Sequence, residues 1–228
     1  MKVSKLTRTV LAMALTFVLS AAAHAVPWSN PNGTVPGVFS WSNGGSDNGL
    51  FGDPTIVGSS FVFSPNNFVA TASNGSASTV SDRLFFTLDI APGFQFGGIT
   101  ISEFGDYSIL GGGAVAATGA LFVTDLNSGS TQSSLLSTNP VFPVSTNTFA
   151  NGLWSGVASV TMPNGVTRVT VVLNNVLQAT SQAGGTSLIE KKGAGAGIQI
   201  DIFVPEPATA GLFGGVAAML LTRRRRSA

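Results

Sequence analysis

The chain has 228 residues, a formal net charge of +1 and no cysteine, and only 9% of its residues are charged against 44% hydrophobic. A disulfide framework is therefore excluded, and the Glu, Lys and Arg that cover exposed helices are too few for a helical protein. The positive balance belongs to the two ends: between residues 26 and 204, four basic residues stand against nine acidic ones, a balance of −5 that gives nucleic acid no electrostatic footprint.

Residues 1–25 have the pattern of a signal peptide, expected to enter the membrane as a short helix. Lys2, Lys5 and Arg8 form a basic start, Val10 to Leu19 an apolar run, and Ala23-His24-Ala25 a small-x-small site for signal peptidase. Cleavage after Ala25 leaves Val26 as the new N-terminus. Residues 26 to 60 are rich in Pro, Gly, Asn and Ser, and predict an irregular lead-in with short strands, one of them near Val38 to Trp41.

From Phe61 onward short apolar or alternating runs lie between turn signals. Phe61–Phe63 and Phe68–Ser73 predict strands on either side of Ser64-Pro65-Asn66-Asn67. Arg83–Ile90 alternates with period two, as does Gly98–Phe104, and Ala114–Leu126 is long enough for a strand bent at Gly119. Residues 127–150 predict a long Ser/Thr/Asn-rich loop with one short strand. Val157–Met162 and Thr167–Leu173 flank the turn at Pro163-Asn164-Gly165, Asn174–Thr180 extends a strand or makes one helical turn, and Ile198–Val204 is the last strand. Eight to twelve short strands without an amphipathic helix or a fixed repeat predict one exported domain, 26–204, folded as an antiparallel two-sheet sandwich of jelly-roll type. A β-solenoid is the alternative, and it lacks its repeat.

The chemistry is narrowed by absence. The single histidine is His24, inside the signal segment, so residues 26–204 hold neither His nor Cys. Ser-His-Asp and Cys-His nucleophile systems and His/Cys metal sites are excluded there. Gly193-Ala194-Gly195-Ala196-Gly197 precedes a strand rather than opening a helix, so it does not read as a dinucleotide turn. Glu103 and Asp106 are the pair a carboxylate-dependent glycan enzyme would need, although polar residues at a strand-to-loop junction are the favoured explanation of them. Asp47 and Asp53, in and after the loop Asn43–Gly49, are the candidate calcium ligands, since carboxylates, amides and carbonyls in a Gly-rich loop suit that ion. Trp28, Trp41 and Trp154 are candidates for a sugar-stacking platform or for capping a sandwich core.

The chain ends in three parts: Pro205-Glu206-Pro207, an uncharged run from Ala208 to Leu221, and Arg223, Arg224, Arg225 and Arg226. The prolines stop a sheet, the run suits a membrane helix, and the arginines favour the cytoplasmic side. This composite tail, 205–228, resembles the PEP-CTERM sorting signal of bacterial exosortase substrates. The resemblance implies anchoring in the inner membrane, recognition by an exosortase near the Pro-Glu-Pro motif, and release to the cell surface or extracellular matrix. The expected function is a structural or adhesive role there, without enzymatic activity and with exopolysaccharide as a partner. A carbohydrate- or ice-binding module and a glycan-active enzyme are the alternatives.

Overall fold

The computed structural model describes residues 25–65, 67–192 and 198–204. The expected signal segment up to His24, including Ala23, and the tail with Pro205, Glu206, Pro207 and Arg223 to Arg226 lie outside the described residues, so the two terminal helices are not part of the fold described below.

Among the described residues sixteen strands follow one another, more than the eight to twelve expected. They are β1 (Val26–Pro27), β2 (Gly33–Val35), β3 (Phe39–Ser46), β4 (Pro54–Val57), β5 (Ser60–Phe63), β6 (Val69–Ser73), β7 (Ala77–Ile90) and β8 (Gly98–Leu110). The second half holds β9 (Gly113–Asp125), β10 (Thr131–Leu135), β11 (Ser137–Asn139), β12 (Val144–Thr146), β13 (Phe149–Thr161), β14 (Arg168–Ser181), β15 (Thr186–Lys191) and β16 (Ile198–Phe203). Residues 127–150 are not a loop with one strand: they carry β10, β11, β12 and the start of β13, whose Ser/Thr/Asn sequences lack the apolar alternation that marks a half-buried strand. Asn174–Thr180 continues β14, so its strand reading holds and its helical one does not.

The strands form two antiparallel sheets packed as a sandwich. One runs β1-β3-β7-β14-β9-β10, with β2 on β3 and β12 on β9. In the other, β11, β13 and β8 are neighbours, and the far edge of β8 is shared by two strands in succession. β15 pairs with Leu110 to Gly105, and β16 pairs with Glu103 to Gly98. The next layer repeats the break, with β6 on β15 and β5 on β16, and β4 lies outside β5. Along two adjacent lines of the sheet, one strand thus gives way to another at the same level, β15 to β16 beside β8 and β6 to β5 beyond them.

Period-two alternation drives the burial. On β7, Leu84, Phe86 and Leu88 are buried while Arg83, Phe85 and Asp89 point outward. On β14, Val169, Val171, Leu173, Leu177 and Ala179 face inward, and the one polar member of that series is Asn175, also buried. At one end the core is aromatic: Phe61, fully buried, touches Trp28, Phe39, Trp41 and Phe86 with ring centroids 5.0–6.0 Å apart. All three tryptophans are core residues, so their capping role is the one observed and no platform of tryptophans faces solvent. Trp28 fits only because position 44 is glycine; a Cβ there would lie 2.1 Å from the indole ring.

Candidate functional site

The outer face of the first sheet carries rows of like side chains aligned by strand register. Strand register places Phe85 of β7 opposite Val172 of β14, and Val172 opposite Phe122 of β9. The three side chains alternate with buried neighbours, so they stand half-exposed in one row across the sheet. Two strand spacings separate the phenylalanines, about 10 Å. The adjacent row is all hydroxyl: Ser42, Thr87, Thr170, Thr124 and Thr131 are in register across five strands, and the Thr124 and Thr131 Oγ1 atoms are 2.9 Å apart. On the other side lie Arg83 and Asn174, with the Arg83 guanidinium 5.8 Å from the Phe85 ring centroid. The face is close to neutral, since Arg83 pairs with Asp47 at 3.0 Å and Arg168 with Asp89 at 2.9 Å.

At the Phe85 end this row opens into a shallow cleft of about 350 Å³, where Pro27, Pro31, Asn32 and Asn43 surround the ring. The irregularity of β3 between Ser42 and Gly45 makes that wall, with Asn43 at φ 56° and its N–H donating to the Asn32 Oδ1 at 3.1 Å. A second cleft of about 490 Å³ lies between the lead-in and β4, lined by Asn30, Asn32, Trp41, Asp53 and Thr55. Half-exposed rings, hydroxyls and amides without net charge can bind a neutral polar ligand: rings pack on C–H faces while the amides and hydroxyls exchange hydrogen bonds.

The loop expected to hold calcium is organised by a carboxylate that its own sequence does not contain. Asp82, buried on β7, accepts the Asn48 and Leu50 backbone N–H groups at 2.8 Å each, and also that of Arg83 at 2.8 Å. Asp47 is turned to Arg83. Asp53 accepts the Ser29 N–H at 2.8 Å and the Ser29 hydroxyl. The two candidate ligands are therefore committed to different partners. Among the described residues no three acidic side chains assemble to hold a metal ion.

Glu103 and Asp106 are three apart on β8, and strand periodicity sends them to opposite faces. Asp106 is on the outer face, register-paired with Glu190, and Lys192 bridges both, accepted by Asp106 and, at 3.2 Å, by Glu190. Those contacts, Asp106 first, raise the Lys192 pKa above its ordinary value of 10.5. Glu103 points inward, fully buried, where its Oε1 accepts the Asn175 Nδ2–H at 2.5 Å and its Oε2 accepts the Lys191 Nζ–H. Lys191 is 3% exposed, and its Nζ lies 5.2 Å from the Phe68 ring centroid and 5.4 Å from that of Trp154. Burial pushes the Lys191 ammonium below 10.5 against the opposing pull of Glu103. Trp154 can cover the pair because residue 105 is glycine, whose Cβ position is 2.4 Å from the indole nitrogen. The acid/base pair read from the sequence is thus not a pair. In the group the fold does assemble, Glu103 meets Asn175 and Lys191, which lie 72 and 88 positions further along the chain. Its only trace in the sequence is a polar residue at an inward position of an otherwise apolar alternation.

These features define an all-β sandwich with a patterned, nearly uncharged sheet face. No protein-family model matches the chain, nor does any curated protein. Among solved structures it is similar to a variant of a family 29 carbohydrate-binding module complexed with mannohexaose, at 11% identity over 78% of this chain and 92% of that one, with a TM-score of 0.23. TmCBM61 in complex with β-1,4-galactotriose is similar at 12% identity over 60% and 90%, with a TM-score of 0.18. The enzymatically active domain of tailspike protein 4 of bacteriophage CBA120 is similar at 10% identity over 60% of this chain, with a TM-score of 0.20, and the chain spans only 20% of that domain. Likenesses this faint carry no weight for function.

Proposed function

We propose that the chain is an exported surface or extracellular-matrix protein, sorted by an exosortase through its Pro205–Pro207 tail, whose β-sandwich holds a neutral polysaccharide on one sheet face. The observation that carries the binding half is the row Phe85–Val172–Phe122 beside the row of five hydroxyls. Apolar rings about 10 Å apart can pack on alternate sugar rings of an extended chain, and the accessible members of the hydroxyl row, Ser42, Thr170, Thr124 and Thr131, are within reach of its edges, Thr87 being buried. Sorting is supported by the sequence of the two ends, the basic and apolar start and the Pro-Glu-Pro, apolar and arginine parts of the tail. Binding rather than turnover is supported by the separation of Glu103 from Asp106 across β8.

The test is affinity electrophoresis of the full chain through gels containing neutral glucans, mannans or galactans, with a charged polysaccharide as control. At least one neutral polymer is expected to retard the protein. Phe85→Ala with Phe122→Ala should abolish the retardation while leaving the urea midpoint little changed, since both side chains lie outside the core. Equal mobility in every gel, or retardation unchanged in the double variant, overturns the assignment of this face.

A further inference from the structure

The buried triad offers more than an ion pair. A lysine, an asparagine and a glutamate meet in the core between the sheets, with Asn175 on β14 in the first sheet and Glu103 and Lys191 on β8 and β15 in the second. All three are at most 3% exposed. One carboxyl group touches both nitrogens: Oε2 holds the Lys191 amine and Oε1 holds the Asn175 amide nitrogen. The Asn175 Oδ1 has no hydrogen-bond partner, so the amide is held by its nitrogen alone. Phe68 and Trp154 flank the amine.

A static ion pair here is a poor return for its desolvation, because apolar side chains of similar volume would serve as well or better. A reaction explains all three residue types. An amine removed from water is disposed to be neutral and nucleophilic, and an amide fixed beside it on the same carboxyl is presented at high effective concentration. We propose that Lys191 and Asn175 become joined by an amide bond across the core, with Glu103 as the catalytic carboxyl.

The balance is as follows. The shared proton passes from the ammonium to Glu103, leaving Lys191 as a neutral amine. Nζ attacks the Asn175 Cγ, and the Nζ–Cγ bond forms. Glu103 takes a proton from Nζ and delivers one to Nδ2, the Cγ–Nδ2 bond breaks, and ammonia leaves. The products are a secondary amide, ammonia and a neutral Glu103, so the charges of the pair have cancelled and no oxidant or cofactor is consumed. The new bond ties the two sheets together, closing the chain between residues 175 and 191.

The experiment is mass spectrometry of the full chain after folding. Trypsin cuts an unlinked chain after Arg168, Lys191 and Lys192. In the linked chain Lys191 is not a substrate, and the peptide Val169–Lys192 is expected one ammonia lighter, without backbone fragments from between 175 and 191. Cutting that peptide after Glu190 should add one water without releasing a piece. Asn175→Asp should form the same link with loss of water in place of ammonia, whereas Lys191→Met and Glu103→Gln should retain full mass. A wild-type chain of full mass whose Lys191 is cut by trypsin overturns the proposal. So does an ammonia-light peptide still cut at Lys191, which would place a succinimide at Asn175. A link that persists in Glu103→Gln removes the carboxyl from its catalytic role.

Discussion

Phe61→Ala tests whether the aromatic end of the core holds the lead-in and its two clefts in place. Phe61 is fully buried, and its ring meets Phe86 at 5.0 Å, Trp41 at 5.4 Å, Trp28 at 5.7 Å and Phe39 at 6.0 Å. Truncating a buried phenylalanine costs about 3–5 kcal/mol, from lost transfer free energy and the cavity left behind. Four ring neighbours place this site at the upper end, because each aromatic pair adds about 0.5–1.5 kcal/mol beyond area. Set against a typical domain stability of about 5–15 kcal/mol, the variant should lose a third or more of its margin. Urea denaturation followed by tryptophan fluorescence reads this directly, since Trp28 and Trp41 report on the same cluster. The midpoint should fall with an unchanged slope. A loss below about 1 kcal/mol would show that the cluster collapses around the gap, and that these contacts do not anchor the lead-in.

Asp82→Ala should cost about 3 kcal/mol and loosen the loop Asn48–Leu50, because its carboxylate accepts three backbone N–H groups in a buried position; hydrogen exchange at Asn48 and Leu50 should accelerate well before global unfolding. Asp125 has its pKa held below 3.8, chiefly by the Ser128 hydroxyl and then by the Asn127 N–H. Its stabilisation is present above 3.8 and is lost as pH falls through the depressed folded value, so Asp125→Asn should flatten the acid limb of the stability curve and little else. Leu153→Ser, at a side chain 80% exposed on the outer face of the second sheet, should leave the urea midpoint within about 0.5 kcal/mol of the parent.

The all-β class was legible because alternation is a local signal. Leu84, Phe86 and Leu88 on β7, and Ile99 and Ile101 on β8, announce their strands and their inward faces together. β10, β11 and β12 were illegible because edge strands that bury little need no apolar alternation. β15 was missed for a different reason: Ser187 and Lys191 occupy two of its inward positions, and a polar inward residue hides the period. The rows on the first sheet are a product of register. Thr87, Thr124 and Thr170 have no common spacing along the chain and become neighbours only when β7, β14 and β9 align. A regular hydroxyl array could therefore be sought in sequence and not found. The same holds for Glu103, Lys191 and Asn175, whose meeting depends on the packing of one sheet against the other.

The position of the triad also bears on how the sandwich would carry load if the chain is anchored through its tail as proposed. A pull applied at Val204 acts first on β16, which lies between β8 and β5 in the middle of its sheet. Antiparallel pairing lets such a strand be detached bond by bond from one end, each rupture exposing the next. Moving back along the chain from β16, the next strand is β15, which ends at Lys191. With only non-covalent contacts, unravelling would continue into β15 and then into β14, the central strand of the other sheet. An amide between Lys191 and Asn175 halts it there, because force arriving at Lys191 passes through the new bond into β14 at Asn175. β14 is held along its length by β7 on one side and β9 on the other, and both pairings would have to yield together. The linked chain should therefore give up only the segment after Lys191 under force, whereas Glu103→Gln should extend through β15 in the same pull.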